Sequence, residues 1–339
     1  MNRTSKNLLP AALLACLAFA GLSESQAQNV PPAKPRTEVR SAPPVPPTPP
    51  RADFDSEMSL AAAPNVNLKF CVSDAELKVN GWNREEIRVF VRGGRKFNFK
   101  VLEKDGASGK PNWIWLAANQ TGAPVQPMQE CLSGSSIEID MPTKASLSIT
   151  GRSTETTIDM VRKVEVKIVE GNISLRNITG GISAFAYQGD LTVENSAGAI
   201  AIESTTGNII AYDVSPGDIG EIFRVRTNSG TVMLQNVEHR QIEANSITGS
   251  VNFDGKFLPG GVYNFKTSNG AIKLNVPDDT SATFQAIYGF GSFNSDFKLE
   301  FLTENITGAG KNIVAKLGEG AANVKVTTNN GSIRVNKKK

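Results

Sequence analysis

The sequence predicts an all-β protein, a parallel β-helix or β-solenoid with about 18 to 23 residues in each coil. Three observations lead to this fold class. From about residue 65 onward, short alternating apolar and polar runs are bounded by Gly, Pro and Asn, which is the pattern of strands separated by turns. Glycines then recur every nine residues, and a glycine-led motif returns at intervals of about 20 residues.

The N-terminus predicts export. Residues 1–27 have the features of a secretory signal peptide, with Arg3 and Lys6 ahead of an apolar run at 8–22 and small residues at the cleavage site. The run is too short to cross a bilayer, so we expect no transmembrane segment in the mature chain. The predicted location is the periplasm, the cell surface or the extracellular space. An alternative is a lipoprotein anchored at Cys16, which ends a loose lipobox.

The next segment, residues 28–64, is predicted to be a proline-rich linker. Positions 31–50 hold nine of the 18 prolines in the chain. Proline neither continues a helix nor donates to a sheet ladder, so this segment predicts an extended, semi-rigid tether. Residues 65–339 are then the solenoid domain. We expect irregular strands with a looped insertion at about 93–130 in its first part, 65–145, and regular coils over 146–339.

The coils are predicted from five nonapeptides that begin at Gly171 and end with the one at Gly207. The second and fourth residues after each glycine are apolar in all five, so each nonapeptide is a strand with one buried face followed by a turn. Glycine suits such turns because it reaches positive φ without strain. The predicted structural turn glycines are Gly171, Gly180, Gly189, Gly198, Gly207, Gly230, Gly249, Gly270 and Gly331.

Two nonapeptides make one coil of 18 residues, which predicts the neighbours in the stack. Ile173 should lie beside Leu191, and Leu191 beside Ile209, on one wall. Ile182 should lie beside Ile200 on the other wall. The later glycines follow at 23, 19, 21 and then 61 residues, and these intervals are interpreted as near multiples of about 20 that continue the coil.

Cysteine and charge restrict the chemistry. Cys71 and Cys131 remain after signal removal, and an even pair in an oxidising compartment predicts a disulfide. Two cysteines and a single histidine cannot supply the usual ligands of a zinc site, so neither a metal nor a cofactor is expected. Without residues 1–27 the net charge falls from +3 to +2, because Arg3, Lys6 and Glu24 leave. A nearly balanced chain does not indicate nucleic-acid binding.

Several segments resemble the adhesin-like proteins grouped as DUF4097. Residues 76–89 are similar to the opening strand pair of that family, with its Gly-Trp turn, and the segments at 276–282 and 295–297 resemble its middle. Residues 308–335 resemble its final coil, so the likeness extends over roughly 65–337. The resemblance implies a right-handed, β-helix-like envelope protein and supplies no catalytic residues.

Few residues indicate chemistry. His239 falls between two repeat strands, where we expect a surface turn and no catalytic role. Trp113 and Trp115 should lie on one face of an extended segment, either stacking on a glycan or capping the open core of the first coil. The sequence therefore predicts a non-enzymatic envelope protein that presents an extended surface to a polymer or partner protein. The alternatives are a β-helix lyase or hydrolase acting on polysaccharide, and a purely structural stalk.

Overall fold

A computed structural model describes residues 55–119, 131–218, 220–308 and 310–338. The predicted signal peptide, Cys16 and the proline-rich positions 31–50 lie outside the described residues. The described part of the chain contains 26 β-strands and no helix.

The first eight strands form the N-terminal region: β1 Ser56–Ala61, β2 Asn67–Trp82, β3 Glu86–Arg92, β4 Phe97–Lys104, β5 Pro111–Ala118, β6 Leu132–Ser133, β7 Ser136–Pro142 and β8 Ser146–Asp159. The next twelve form the coils: β9 Lys163–Glu170, β10 Ile173–Arg176, β11 Ile182–Gln188, β12 Leu191–Ala197, β13 Ile200–Thr206, β14 Ile209–Ser215, β15 Ile222–Ser229, β16 Val232–Val237, β17 Gln241–Thr248, β18 Val251–Asp254, β19 Val262–Asn269 and β20 Ile272–Val276. The last six are β21 Ala282–Phe290, β22 Phe293–Ser295, β23 Glu300–Asn305, β24 Lys311–Leu317, β25 Ala322–Asn330 and β26 Ile333–Lys337.

The strands stack in two walls. Wall A has the order β4–β5–β2–β8–β9–β11–β13–β15–β17–β19–β25–β21–β24–β23. Wall B has the order β1–β3–β7–β2–β8–β10–β12–β14–β16–β18–β20–β26–β22. The long strands β2 and β8 belong to both walls, and their pairing is interrupted where Asp74 and Ser153 take positive φ. The β-solenoid fold predicted from the sequence is therefore confirmed.

The predicted neighbours also agree with the structure. Ile173 pairs with Leu191 and Leu191 with Ile209 in wall B, while Ile182 pairs with Ile200 in wall A. All five side chains are buried between the walls. The core forms because alternate residues of each strand point inward, and each coil covers the apolar edge of the coil below it.

Glycine forms a continuous column along one edge of the solenoid. A Cβ atom added to Gly189 would collide with the carbonyl oxygen of Gly171 one coil below, and the same collision recurs up the column. The column consists of Gly171, Gly189, Gly207, Gly230, Gly249, Gly270, Gly331 and Gly291. The close stacking of backbone on backbone requires glycine at these positions.

One predicted glycine turn is displaced by a residue. Gly180 does not have positive φ; its neighbour Gly181 does, at 110°. The nine-residue spacing selects Gly180 because it stands two residues before the apolar Ile182, as the glycine does in the other repeats. The positive φ of the turn, however, belongs to Gly181. Gly270 and Gly331 also lack positive φ, and the close approach of the backbone alone explains them.

Buried hydroxyls accompany the glycine column. Thr267 donates a hydrogen bond of 2.8 Å to the carbonyl oxygen of Gly249, one coil below, and Ser246 donates one of 2.9 Å to that of Gly230. The same bond is made by Ser204, Thr227 and Thr328. These bonds give the buried hydroxyl groups an acceptor, and they join successive coils.

The C-terminal coil does not follow in chain order, which corrects the expectation of regular coils up to residue 339. β25 lies between β19 and β21, and β26 lies between β20 and β22. Ile333 therefore pairs directly with Ile272, 61 residues earlier. The sequence predicts several further coils between Gly270 and Gly331, but the structure shows that the two glycines are a single coil step apart. The intervening chain forms β21 and β22 one coil further on and then the hairpin of β23 and β24.

Two N-terminal expectations are also corrected. β1 lies inside the range assigned to the linker and pairs antiparallel with β3, with Leu60 packed against the core. The looped insertion at about 93–130 contains the hairpin of β4 and β5, and β5 joins wall A in parallel with β2. These strands form because Phe97, Ile114 and Leu116 bury apolar surface in the first coil.

Candidate functional site

The outward face of wall A contains two shallow grooves in line with each other. The proximal groove lies over β5, β2, β8 and β9, has a volume of about 510 Å³ and is lined by Asn67, Lys69, Trp113, Ser146, Ser148, Arg162, Lys163 and Glu165. The distal groove lies over β9, β11, β13, β15 and β17, has a volume of about 590 Å³ and is lined by Lys167, Ser183, Phe185, Ala201, Glu203, Arg224, Arg226, Glu243 and Asn245.

The grooves arise from small residues at outward positions of neighbouring strands. Ser183 and Ala201 pair with each other on β11 and β13, and Ser148 occupies the same row on β8. Longer side chains of the same row flank these positions: Glu165 lies between Ser148 and Ser183, and Arg224 lies next to Ala201 in the distal groove. A parallel ladder repeats at about 4.8 Å, so the seven steps from β5 to β17 extend the two grooves over about 34 Å.

Positive charge predominates along the grooves. Six basic side chains and three acidic ones line them: Lys69, Arg162, Lys163, Lys167, Arg224 and Arg226 against Glu165, Glu203 and Glu243. Lys167 lies 2.9 Å from Glu165, whose pKa this hydrogen bond lowers, and Arg224 lies 2.9 Å from Glu243. The exposed guanidinium of Arg226 forms no ion pair with any of the described residues. This arginine is therefore available to an anionic group.

Aromatic side chains lie in both grooves. Trp113 is 44% exposed in the proximal groove, and Phe185 is half-buried in the distal one. Trp115 lies on the same outward face as Trp113, with the Nζ of Lys69 5.9 Å from its ring centre. Ile114 and Leu116 are the core residues of this strand. The capping interpretation of the two tryptophans is therefore wrong, because the alternation of β5 points both outward.

Cys71 and Cys131 form the disulfide that the sequence predicts, with their Cα atoms 4.5 Å apart. Cys71 lies on β2 in wall A, and Cys131 immediately precedes β6, which pairs with β2. The bond therefore fixes the chain to the first coil at the point where it returns from the β4–β5 hairpin.

His239 lies in the core and not on a surface turn. Its Nε2 is 2.8 Å from the carbonyl oxygen of Gly198, and its ring lies 5.5 Å from that of Phe223. Burial lowers the pKa of this imidazole. In the short connection between β16 and β17, Glu238 and Arg240 are exposed, and only the side chain of His239 turns inward, where it packs beside Phe223. The described residues contain no group of three or more His, Cys, Asp or Glu that could hold a metal ion.

The sequence interpretation missed the basic and aromatic residues of the distal groove. Phe185, Arg224 and Arg226 occupy alternate positions between buried residues of their own strands, so their outward direction was readable from the pattern. The sequence did not show that these three side chains lie close together in space. The interval of 23 residues between Gly207 and Gly230 leaves the alignment of β15 with β13 undetermined until the pairing is known.

The chain was compared with known proteins. No curated protein matches the chain at a significant level. Two solved structures are similar: a proposed cell adhesion protein from Clostridium sporogenes ATCC 15579, 11% identical, with a TM-score of 0.26, covers 84% of this chain and 100% of its own. A proposed lipid binding protein from Parabacteroides distasonis ATCC 8503 is 10% identical, with a TM-score of 0.33, over 84% of this chain and 97% of its own.

The described residues contain no helix of the length and apolarity needed to cross a membrane. Residues 201–336, from β13 into β26, match the family model described as Toastrack DUF4097. The resemblance to this family inferred from the sequence is therefore confirmed over residues 201–336.

Proposed function

We propose that the protein is a non-enzymatic, exported envelope protein whose solenoid presents wall A to an extended anionic polymer or partner protein. The observation that carries this proposal is the alignment of two grooves, each lined by three basic side chains and one aromatic side chain, over about 34 Å of one face. A long, continuous surface of this kind is what solenoid proteins use for extended ligands.

The grooves offer two kinds of contact to such a ligand. Trp113 and Phe185 provide flat apolar faces, on which a sugar ring or an apolar side chain can stack. Arg226 offers a planar guanidinium that suits a carboxylate or phosphate. Both are attached to paired strands within a rigid wall, so little conformational entropy is lost on binding.

Export is part of the proposal and is supported by the disulfide. Disulfides persist in oxidising compartments and are rare in the cytosol. The Cys71–Cys131 bond therefore agrees with the signal peptide predicted over residues 1–27. The predicted linker would hold wall A away from the surface to which the chain is attached.

Binding to a carboxylated polysaccharide tests the proposal. We expect the chain to be retained on polygalacturonate more strongly than on neutral dextran, and retention to weaken with salt because the contacts are ionic. Arg226→Glu and Trp113→Ala should each weaken retention by about tenfold or more. The matched control is Arg334→Glu, which reverses an exposed charge on wall B.

The other outcomes are equally specific. Equal retention of Arg226→Glu and Arg334→Glu would show that wall A is not the binding face. Release of reducing ends from the polymer would favour the β-helix enzyme over a binding protein. Failure to retain any polymer, together with recovery of no partner from envelope extract, would favour the structural stalk.

A further inference from the structure

Each end of wall A finishes in an antiparallel hairpin, and the last strand of each hairpin pairs on one side only among the described residues. At the N-terminal end β4 pairs with β5, and at the C-terminal end β23 pairs with β24. Within the residues that the structure describes, no strand pairs with the second edge of β4 or of β23. Such an edge presents unpaired N–H and C=O groups, to which a further strand can add.

Each of these edge strands also exposes large apolar side chains. On β23, Phe301 is 51% and Leu302 is 55% exposed; on β4, Leu102 is 54% exposed and Val101 is also exposed. Exposed apolar residues on an unpaired edge mark a site of strand addition, since pairing removes both the apolar surface and the free backbone groups from water.

The two edges carry opposite charge. Residues 95–104 contain four basic residues and one acidic residue: Arg95, Lys96, Lys100 and Lys104 against Glu103. β23 itself carries two acidic residues, Glu300 and Glu304, and no basic residue. Pairing like edges would place lysine near lysine or glutamate near glutamate, which is destabilising. Only the pairing of β4 with β23 brings unlike charges together.

Strand direction agrees with the same pairing. β24 runs antiparallel to β21, and β23 antiparallel to β24, so β23 has the direction of the parallel strands of wall A. β4 runs against β5, which has that same direction. If a second copy is placed end to end along the solenoid axis, its β4 meets β23 as an antiparallel neighbour, and wall A continues from one copy into the next.

We infer that the chain associates head to tail with further copies of itself, β23 of one copy adding to β4 of the next. This interface is heterologous, so it leaves a free edge at each end and permits a row of copies. The row extends the wall A face beyond one molecule. The inference does not depend on what wall A binds.

Sedimentation velocity of the purified full chain tests the inference. We expect the sedimentation coefficient of the wild type to rise with concentration, and the rise to diminish at high salt. Two double variants give both edges of a molecule the same sign of charge. Lys100→Glu with Lys104→Glu makes β4 acidic like β23, and Glu300→Lys with Glu304→Lys makes β23 basic like β4. Each should reduce the association constant by at least about tenfold, or about 1.4 kcal/mol.

Mixing the two variants separates loss of pairing from loss of folding. The acidic edges of the first variant complement the basic edges of the second, so the mixture should associate as the wild type does, although each variant alone does not. Lys325→Glu, an exposed charge reversal within wall A, is the matched control and should associate normally. A wild type that stays monomeric, variants that associate unchanged, or a mixture that stays monomeric would each overturn the inference.

Discussion

At the scale of single residues, His239 shows how a polar side chain is accommodated in the core. The carbonyl oxygen of Gly198 accepts a hydrogen bond only from a protonated Nε2, so the neutral ring carries its hydrogen there. Its Nδ1 is buried and has no hydrogen-bond partner among the described residues. A second proton would therefore place a charge on a buried atom without an acceptor. Desolvation is the largest cause of the lowered pKa, and it outweighs the opposing contributions of Gly198 and Glu221.

This lowered pKa predicts a loss of stability in acid. Below the ordinary histidine pKa of about 6.5, the unfolded chain takes up a proton that the folded chain does not. The contribution of His239 to stability is therefore complete above that pH and is lost as the pH falls toward the folded pKa. Thermal melts between about pH 7.5 and pH 5 should show this loss in the wild type. His239→Gln, which can still donate to Gly198, should have a flatter profile; parallel profiles for the two proteins would contradict the assignment.

At the scale of structural elements, the glycine column is the feature that the regular repeat requires. Each member lies where the backbone of one coil approaches a carbonyl group of the coil below. At Gly207 and Gly249 the hydroxyl of a buried serine, Ser204 or Ser246, also lies close to the position of an added Cβ. Replacing one member would disturb the coils on both sides of it.

Gly207 provides the test of this column. Its φ of 155° and the collision of an added Cβ with the carbonyl oxygen of Gly189 both oppose a side chain. We expect Gly207→Ala to lower the free energy of unfolding by about 3 kcal/mol or more. The matched control is Gly106→Ala, since an added Cβ at Gly106 meets nothing within 4 Å, and its effect should stay within about 0.5 kcal/mol. Equal denaturant midpoints for the two variants would mean that the column tolerates a methyl group.

At the scale of the whole molecule, the last coil of the chain is not the last coil of the stack. β25 and β26 separate β19 and β20 from β21 and β22, so the C-terminal residues fill an internal position. In the folded chain, β21 and β22 therefore rest on the C-terminal strands β25 and β26 and not on β19 and β20. Folding of this end depends on contacts between residues up to 61 positions apart.

Removing β25 and β26 tests this topology. A chain that ends after Gly320 should lose the packing of β21 to β24, because these strands no longer have the coil on which they rest. Limited proteolysis should then cut within residues 277–320, while the coils over residues 131–218 and 220–276 stay as resistant as in the full chain. Resistance of residues 277–320 would show that β21 can dock directly on β19, and that the inserted coil is dispensable.

The sequence by itself determined the local and periodic properties of this protein. The strand class, the inward and outward alternation, the coil of 18 residues around Ile173, Leu191 and Ile209, and the pair Cys71 and Cys131 all follow from residue type and spacing. They could be predicted because the direction of a side chain in a strand depends only on its position in that strand. The need for glycine was also readable, although at Gly180 the turn lies one residue later.

Only the tertiary structure decided which strands become neighbours once the spacing is irregular. It placed Ile333 on Ile272 across 61 residues, joined β5 to the first coil, brought His239 into the core, and aligned Arg226 with Phe185 in one groove. The physical reason is that any strand of this repeat carries a similar apolar face. Alternation therefore cannot distinguish one partner from another, and the choice depends on the packing of the whole stack.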